Sequence, residues 1–293
     1  MCKVKVLQVV GDPFGGIRKH IHDILKGLNS NFDFIYVSSK NGDKIFAEEI
    51  GVLSKKIESY YTLDIKKRPS VSDLANIYKI YKIIKNHNVD VVHGHGAKGG
   101  LYARVAGKLA GCKVIYTPHG GVVHSMFKPF EATLYKSVEK ILCLFTDLLI
   151  FESKYTANNF NEKFGCKKVK KIVNYNGVEI PSDLPKKEIK SQNSWPKKIG
   201  VFGMMREEKG QDLAYDAIKS LVQEGYRLEL HFYGDGPLKK GLEERSASDG
   251  LTAHVYFHGE VTNVYEKMLE MDFILIPSRF ESFGYVAVEA AML

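Results

Sequence analysis

The sequence predicts an α/β chain made of two parallel-sheet domains in tandem. Three observations carry that reading. Apolar runs of strand length alternate with amphipathic helical stretches along most of the chain. The alternation breaks once, between Ile180 and Lys198, where IPSDLPKKEIKSQNSWPKK holds three prolines and many Lys and Ser, and then it resumes. The length of 293 residues also favours two domains over one.

The elements follow in order. Val4 to Val10 is an apolar strand, and Gly11 to Gly16 a loop. Ile17 to Leu28 reads as a helix because Ile17, Ile21, Ile24, Leu25 and Leu28 fall on one face. Phe34 to Val37 is a second strand. Val71 to Lys85 is a helix carrying Leu74, Ile77, Tyr78, Tyr81 and Ile84 at helical spacing. Val89–His93, Val114–Thr117, Leu148–Glu152 and Val169–Val173 read as strands. Between them lie helical stretches over Leu101–Leu109, Phe130–Leu144 and Tyr155–Phe164. After the break come strands at Ile199–Phe202, Leu228–Tyr233, His254–Phe257 and Asp272–Ile276. Helices are expected over Gln211–Glu224, Leu238–Ala247, Val264–Glu270 and Tyr285–Leu293. Repeated βα units imply parallel sheets covered on both faces, with ligands at the carboxyl ends of the strands. The expected division is residues 1–180, a linker over 181–197, and residues 198–293. Two Rossmann-like domains so arranged leave a cleft as the expected ligand position.

Composition narrows the function classes. The apolar fraction of 44% and charged fraction of 26% are those of ordinary globular proteins. No apolar run reaches eighteen residues, so no transmembrane helix is expected. The N-terminal MCKVKVLQVVGDPFGG reads as a first strand rather than a signal peptide. Cys2, Cys112, Cys143 and Cys166 lack CxxC spacing; they point to neither a metal site nor a disulfide framework and fit a reducing cytoplasm. Residues 1–180 carry 28 Lys and Arg against 16 Asp and Glu, a balance of +12; residues 181–293 carry 14 against 18, a balance of −4. A basic first half favours an anionic neighbour, such as a membrane surface or a phosphate-linked acceptor. No recognisable nucleic-acid motif accompanies the charge, so nucleic acid is not expected as a partner.

The most informative stretch is the last, Asp272–Leu293, DFILIPSRFESFGYVAVEAAML. A strand, a polar turn and a helix start would aim free N–H groups at an anion. Glu281 stands in the turn and Glu289 in the helix, with seven residues between them. Carboxylates accept several hydrogen bonds and so suit hydroxyl-rich ligands. One unit thus offers donors for a diphosphate and acceptors for a sugar. PSRFESFGYVAVEA strongly resembles the E-x7-E segment of the retaining GT-B glycosyltransferases of family 4. The resemblance implies that Glu281 contacts the transferred sugar and Glu289 the ribose. Ser282, Phe283 and Gly284 then form the donor-facing turn.

Other stretches keep the order of that family's motifs. Gly15-Gly16 follows the first strand and allows close backbone approach to a ligand. Its spacing is not G-x-G-x-x-G, and the resemblance places it near the donor diphosphate and the acceptor. DVVHGHGAKGG, from Asp90 to Gly100, resembles a strand end with a lysine-glycine pair. Its His93 and His95 share one strand face, but a metal there is not expected, because no third ligand is nearby in sequence. In YTPHGG, His119 ends a strand, and an imidazole can donate to or accept from a hydroxyl. The resemblance puts it beside the transferred sugar and the incoming hydroxyl. FGMMREEKGQDL resembles the G-R-x-x-x-E-K-G segment, with Lys209 set to meet a phosphate. Met204 stands where that family usually has arginine, and Arg206, two residues on, is the candidate replacement. YGDGP and FHGEV resemble further landmarks of the nucleotide half, with Val261 near the base; Asn176-Gly177-Val178 resembles the exit from the first domain. No Asp-x-Asp triplet occurs, so no metal cofactor is expected, and Lys209, Arg206 and helix N-termini take its electrostatic role.

The resemblance therefore implies transfer of a sugar, with retention, from a nucleotide diphosphate-sugar to a hydroxyl of a glycan or lipid-linked acceptor. It leans toward capsule or exopolysaccharide assembly at the inner membrane face, with a cytoplasmic or peripheral location. The final AAML stops inside a helix, so a prematurely ended second domain is expected. That leaves a non-catalytic nucleotide-sugar-binding fragment or interaction partner as the alternative, and a nucleotide-sugar epimerase of the same architecture behind it.

Overall fold

A computed structural model describes residues 3–66, 68–120, 129–179, 182 and 195–293. The chain divides into two compact units, Met1–Asn176 and Gly177–Leu293. Most of the stretch 181–197, expected as a linker, lies outside the described residues.

In the first unit the order is β1 (Val4–Val10), α1 (Gly15–Gly27), β2 (Phe32–Ser39), α2 (Lys44–Leu53), β3 (Ser59–Leu63), α3 (Ser72–His87), β4 (Val91–His95) and α4 (Gly96–Ala110). Then come β5 (Lys113–Thr117), α5 (Pro129–Cys143), β6 (Leu148–Phe151), α6 (Lys154–Phe164) and β7 (Lys170–Val173). The strands form one seven-stranded parallel sheet in the order β3-β2-β1-β4-β5-β6-β7. Alternation along β1 and β2 splits the core between two faces. Leu7, Val9, Ile35 and Val37 pack with α3 and α4, while Val6, Val10, Phe34 and Tyr36 pack with α1 and α2.

The second unit runs β8 (Lys197–Phe202), a 3₁₀ turn (Glu207–Lys209), α7 (Gln211–Gln223), β9 (Leu228–Tyr233) and α8 (Lys239–Ser248). It continues with β10 (Val255–Gly259), α9 (Val264–Leu269), β11 (Phe273–Ile274) and α10 (Tyr285–Met292). Its sheet is parallel, in the order β10-β9-β8-β11. The α/β architecture expected from the alternation is therefore present in both units. Among the described residues no helix is long and apolar enough to cross a membrane.

Several local expectations fail for physical reasons. α2 and β3 escape a periodicity reading, since KIFAEEIGVL mixes charges into its apolar positions and SYYTL is short. α4 begins at Gly96, five residues before the expected Leu101, because glycine-rich sequence reads as loop. Those glycines serve packing: a Cβ on Gly99 would lie 2.4 Å from Val9 O, and one on Gly100 2.2 Å from the Tyr116 ring. On α3, Leu74 and Tyr78 were expected to face the core, yet they are 70% and 58% exposed. The buried stripe includes Asp73 and Asn76 instead, because partners satisfy both. Asp73 accepts from Lys98 and from the Tyr102 hydroxyl, and Asn76 donates to Asp64 O.

The cysteines also differ from expectation. Cys143 and Cys166 form a disulfide, with Cα atoms 6.0 Å apart and a sequence separation of 23. The turn from α5 through β6 and α6 brings both into a cluster with Tyr116, Leu149, Phe160 and Phe164, which sequence spacing does not reveal. Cysteine usage therefore no longer argues for a reducing compartment. Cys112 is free and Cys2 lies outside the described residues.

Arg104 is fully buried on α4. It donates to Gly100 O and, through both terminal nitrogens, to Glu139 of α5, and it stacks 3.8 Å from the Tyr116 ring centre. Removing one partner of a buried pair leaves the other charge uncompensated. Glu139→Ala is expected to cost about 3–5 kcal/mol in urea unfolding, whereas exposed Glu244→Ala should be near neutral.

Candidate functional site

Parallel strands deliver their last residues to one edge of the sheet, and in the first unit four adjacent strands do so in turn. β4 ends on His95, His119 lies two residues past β5, Glu152 follows β6, and Asn176 lies three past β7. His119 takes a left-handed backbone, φ 50°, so the chain turns and the imidazole points inward; its side chain is 2% exposed. Its Nδ1 donates to Glu152 Oε1 at 2.9 Å, and its Nε2 lies 2.9 Å from His95 Nδ1. Asn176 donates to the same Glu152 oxygen at 2.7 Å. His20, from α1, places Nδ1 2.7 Å from Asn176 Oδ1. His95 Nε2 lies 2.6 Å from Gln8 Oε1 of β1, while His93 is bonded to Thr117.

Burial dominates the titration of this cluster. It lowers His20 to about 4, with the neighbouring His119 adding to the effect. It holds His93 and His95 well below the usual histidine range. For Glu152 burial works upward, but attraction and hydrogen bonding from His119, with His20 and Asn176 behind them, hold the carboxyl down to about 2. The sequence reading saw no third imidazole near His93 and His95. The fold corrects it: one ring nitrogen from each of His20, His95 and His119 lies within 4.8 Å of the others.

Gly15 and Gly16 open α1 and are exposed. The Gly15 amide donates to Asp43 at 2.8 Å, and the same carboxylate caps α2 through Phe46 N and pairs with Arg18. The glycine turn is thus fixed by a carboxylate. Lys98 of the lysine-glycine pair is held by Asp73 at 2.6 Å.

In the second unit, Lys209 and Glu281, 72 residues apart in sequence, meet at 2.6 Å with about a third of each side chain exposed. Ser278 Oγ donates to the same Glu281 oxygen at 3.3 Å. Gly210 allows this approach. Its φ is 68°, and a Cβ there would lie 2.1 Å from Pro277 O. Arg279 clasps the two loops from the other side, with paired bonds of 2.7 and 2.6 Å to Asp212 and a bond to Glu207 O. Its own amide donates to Glu208 O.

The remaining candidates are scattered by comparison. Glu289 is 7% exposed on α10, with the Tyr265 hydroxyl 3.3 Å away. Gly284, φ 87°, is the N-cap of α10, and Phe283 packs edge-on against Tyr285. Ser282 is half-buried beside them. Arg206 is exposed, Met204 is half-buried and Met205 is in the core. Val261 packs on the cluster of Phe202, Tyr233, Met268 and Met271.

Sequence reasoning missed Glu152, His20, Gln8, Arg279 and Asp212, and read Asn176 only as part of the exit from the first domain. Position gave a usable signal for Glu152 alone, as an acid directly after an apolar strand. The others depend on pairings across the fold.

Two parallel-sheet units with these loops at their strand ends place the chain in the GT-B class of glycosyltransferase folds. Residues 14–180 match the family model described as Glycosyltransferase Family 4, and residues 185–293 match Glycosyl transferases group 1. The chain belongs to glycosyltransferase family 4. It is 30% identical over 287 residues to the uncharacterized glycosyltransferase MJ1178 of Methanocaldococcus jannaschii, covering 94% of this chain and 72% of that protein. It is 26% identical over 292 residues to the capsular polysaccharide biosynthesis glycosyltransferase CapH of Staphylococcus aureus, covering 94% and 75%. Across eight such relatives the chain spans from 53% to 75% of their length. Among solved structures, Anabaena Alr3699/HepE in complex with UDP and glucose shares the fold. It has a TM-score of 0.72 and 20% identity, covering 99% of this chain and 78% of that one.

Gly210→Ala is expected to push the Pro277 loop away from Lys209. The Lys209–Glu281 contact should be lost, seen as a lengthened separation in a crystal structure of the variant, with the unit still folded by circular dichroism.

Proposed function

We propose that the chain transfers a sugar from a nucleotide diphosphate-sugar to a hydroxyl of a glycan or lipid-linked acceptor, retaining the anomeric configuration, in assembly of a surface polysaccharide. The observation that carries the reading is the Lys209–Glu281 contact. It sets a phosphate-binding cation and a hydroxyl-binding carboxylate 2.6 Å apart, both open to solvent. A sugar diphosphate presents those two groups side by side. The relatives' names support the polysaccharide context.

In this reading Lys209, the exposed Arg206 and the amides opening α10 draw charge from the departing diphosphate, a role that needs no divalent cation on the donor. Glu281 holds the transferred sugar and Ser278 steadies Glu281. Glu289 receives the ribose, Ser282, Phe283 and Gly284 shape the turn, and Val261 stands near the base. Gly15 and Gly16 face the diphosphate and acceptor. His119 stands beside the transferred sugar and the incoming hydroxyl and, with Glu281, positions them.

A screen of nucleotide sugars for thermal stabilisation identifies the donor, because a ligand of the native state raises the melting temperature. With that donor, Glu281→Ala should lower turnover about 10²-fold or more. Lys209→Ala should weaken donor binding roughly 10- to 100-fold. Normal turnover by folded Glu281→Ala would refute the sugar-site assignment, and NMR of the product's anomeric centre tests retention.

We further propose peripheral contact with an anionic membrane at the cytoplasmic face. On α5, Leu134, Val138 and Ile141 are 53%, 38% and 55% exposed at helical spacing, with Leu144 just beyond, and Lys136 and Lys140 lie beside them. Anionic vesicles should retain the chain at low salt, and Ile141→Glu should release it. Equal retention by uncharged vesicles would count against an electrostatic contact.

A further inference from the structure

The hydrogen bonds around His119 fix the proton on each of three rings. Glu152 is an acceptor only, and it receives His119 Nδ1–H and Asn176 Nδ2–H. The amide of Asn176 therefore turns its oxygen toward His20, whose Nδ1 must donate. His95 Nε2 faces Gln8 Oε1 at 2.6 Å and donates to it. With one proton per ring, each has spent it on an outer oxygen. The nitrogens left over are His20 Nε2, His95 Nδ1 and His119 Nε2, and all three carry lone pairs.

Two of those nitrogens are crowded. His95 Nδ1 and His119 Nε2 are 2.9 Å apart. His20 Nε2 is buried with no hydrogen-bond partner, on a residue 7% exposed. Its ring packs edge-on to His119 at 4.9 Å. A proton added to His119 would satisfy His95 and still leave His20 Nε2 orphaned. A single cation would satisfy all three.

We propose that His20, His95 and His119 bind one divalent first-row transition-metal cation of the Zn²⁺ class. Imidazole ligands favour such ions, whereas Mg²⁺ and Ca²⁺ require oxygen. Three histidines with a fourth position left for solvent or ligand is a known zinc arrangement. Glu152, Asn176 and Gln8 are the outer acceptors that orient metal-binding histidines elsewhere. Glu152 also brings a negative charge against a buried cation. With Zn–N near 2.0–2.1 Å, tetrahedral nitrogens sit roughly 3.3 Å apart. One nitrogen of each ring already lies within 4.8 Å of the others, so rotation of the rings closes the set. Occupancy would tie the turn carrying His119 to α1 and β4. The three histidines lie in the first unit and the Lys209–Glu281 contact in the second, and the test reads metal binding rather than transfer, so its failure and that of the transferase reading are distinguishable.

The test uses the untagged full chain, stripped with a chelator and dialysed. Zn²⁺ is titrated against a chromophoric competitor, and Co²⁺ is titrated for the absorption of a four-coordinate complex. One equivalent should bind, undisturbed by excess Mg²⁺. His20→Ala and His95→Ala should abolish that phase, and Asn176→Ala should weaken it about 10- to 100-fold. If either histidine variant fails to fold, X-ray absorption of the Zn²⁺-loaded native chain counts the ligands, and three imidazoles are expected. No saturable one-to-one phase, an unchanged phase in both folded variants, or fewer than three imidazoles would overturn the proposal.

Discussion

Parallel pairing is the constraint on which the rest depends. Every pairing between named strands is parallel in both sheets, so all strands of a sheet finish on one edge. Parallel neighbours need crossover helices, which cover the faces and leave that edge for polar side chains. In the first unit it gathers His95, His119, Glu152 and Asn176 from four consecutive sheet positions. In the second it brings the loop after β8 and the loop after β11 together, since those strands are neighbours. Lys209 and Glu281 meet for that reason.

The sequence disclosed the alternation well because buried parallel strands are short apolar runs. β1, β2, β8 and β9 stand out in this way. It disclosed less where packing overrides propensity. GAKGG looked like loop, yet it is the first turn of α4, placed there because only glycine lets the helix approach β1 and Tyr116 so closely. Asp73 and Asn76 broke the expected stripe on α3, since their partners Lys98 and Asp64 lie elsewhere in the chain. The disulfide was hidden for the same reason.

The candidate residues were legible in kind more than in arrangement. Lys209 and Glu281 were each visible from their motifs, but their contact was not. His119 was visible as a strand-end histidine. Its imidazole is turned inward, with Nδ1 on Glu152 and Nε2 2.9 Å from His95 Nδ1. What solvent reaches at that residue is mainly its backbone, since the side chain is 2% exposed while the residue as a whole is half-buried. A left-handed φ and a buried carboxylate together produce that inversion, and neither is written in YTPHGG.

The Cys143–Cys166 link encloses β6, Glu152 and α6 in a covalent ring. A protease that nicked the backbone anywhere between the two cysteines would leave one molecule by mass until a reductant was added. The two ends at the cut would stay leashed, so the carboxylate beneath His119 would remain part of the same molecule after its own segment had been severed.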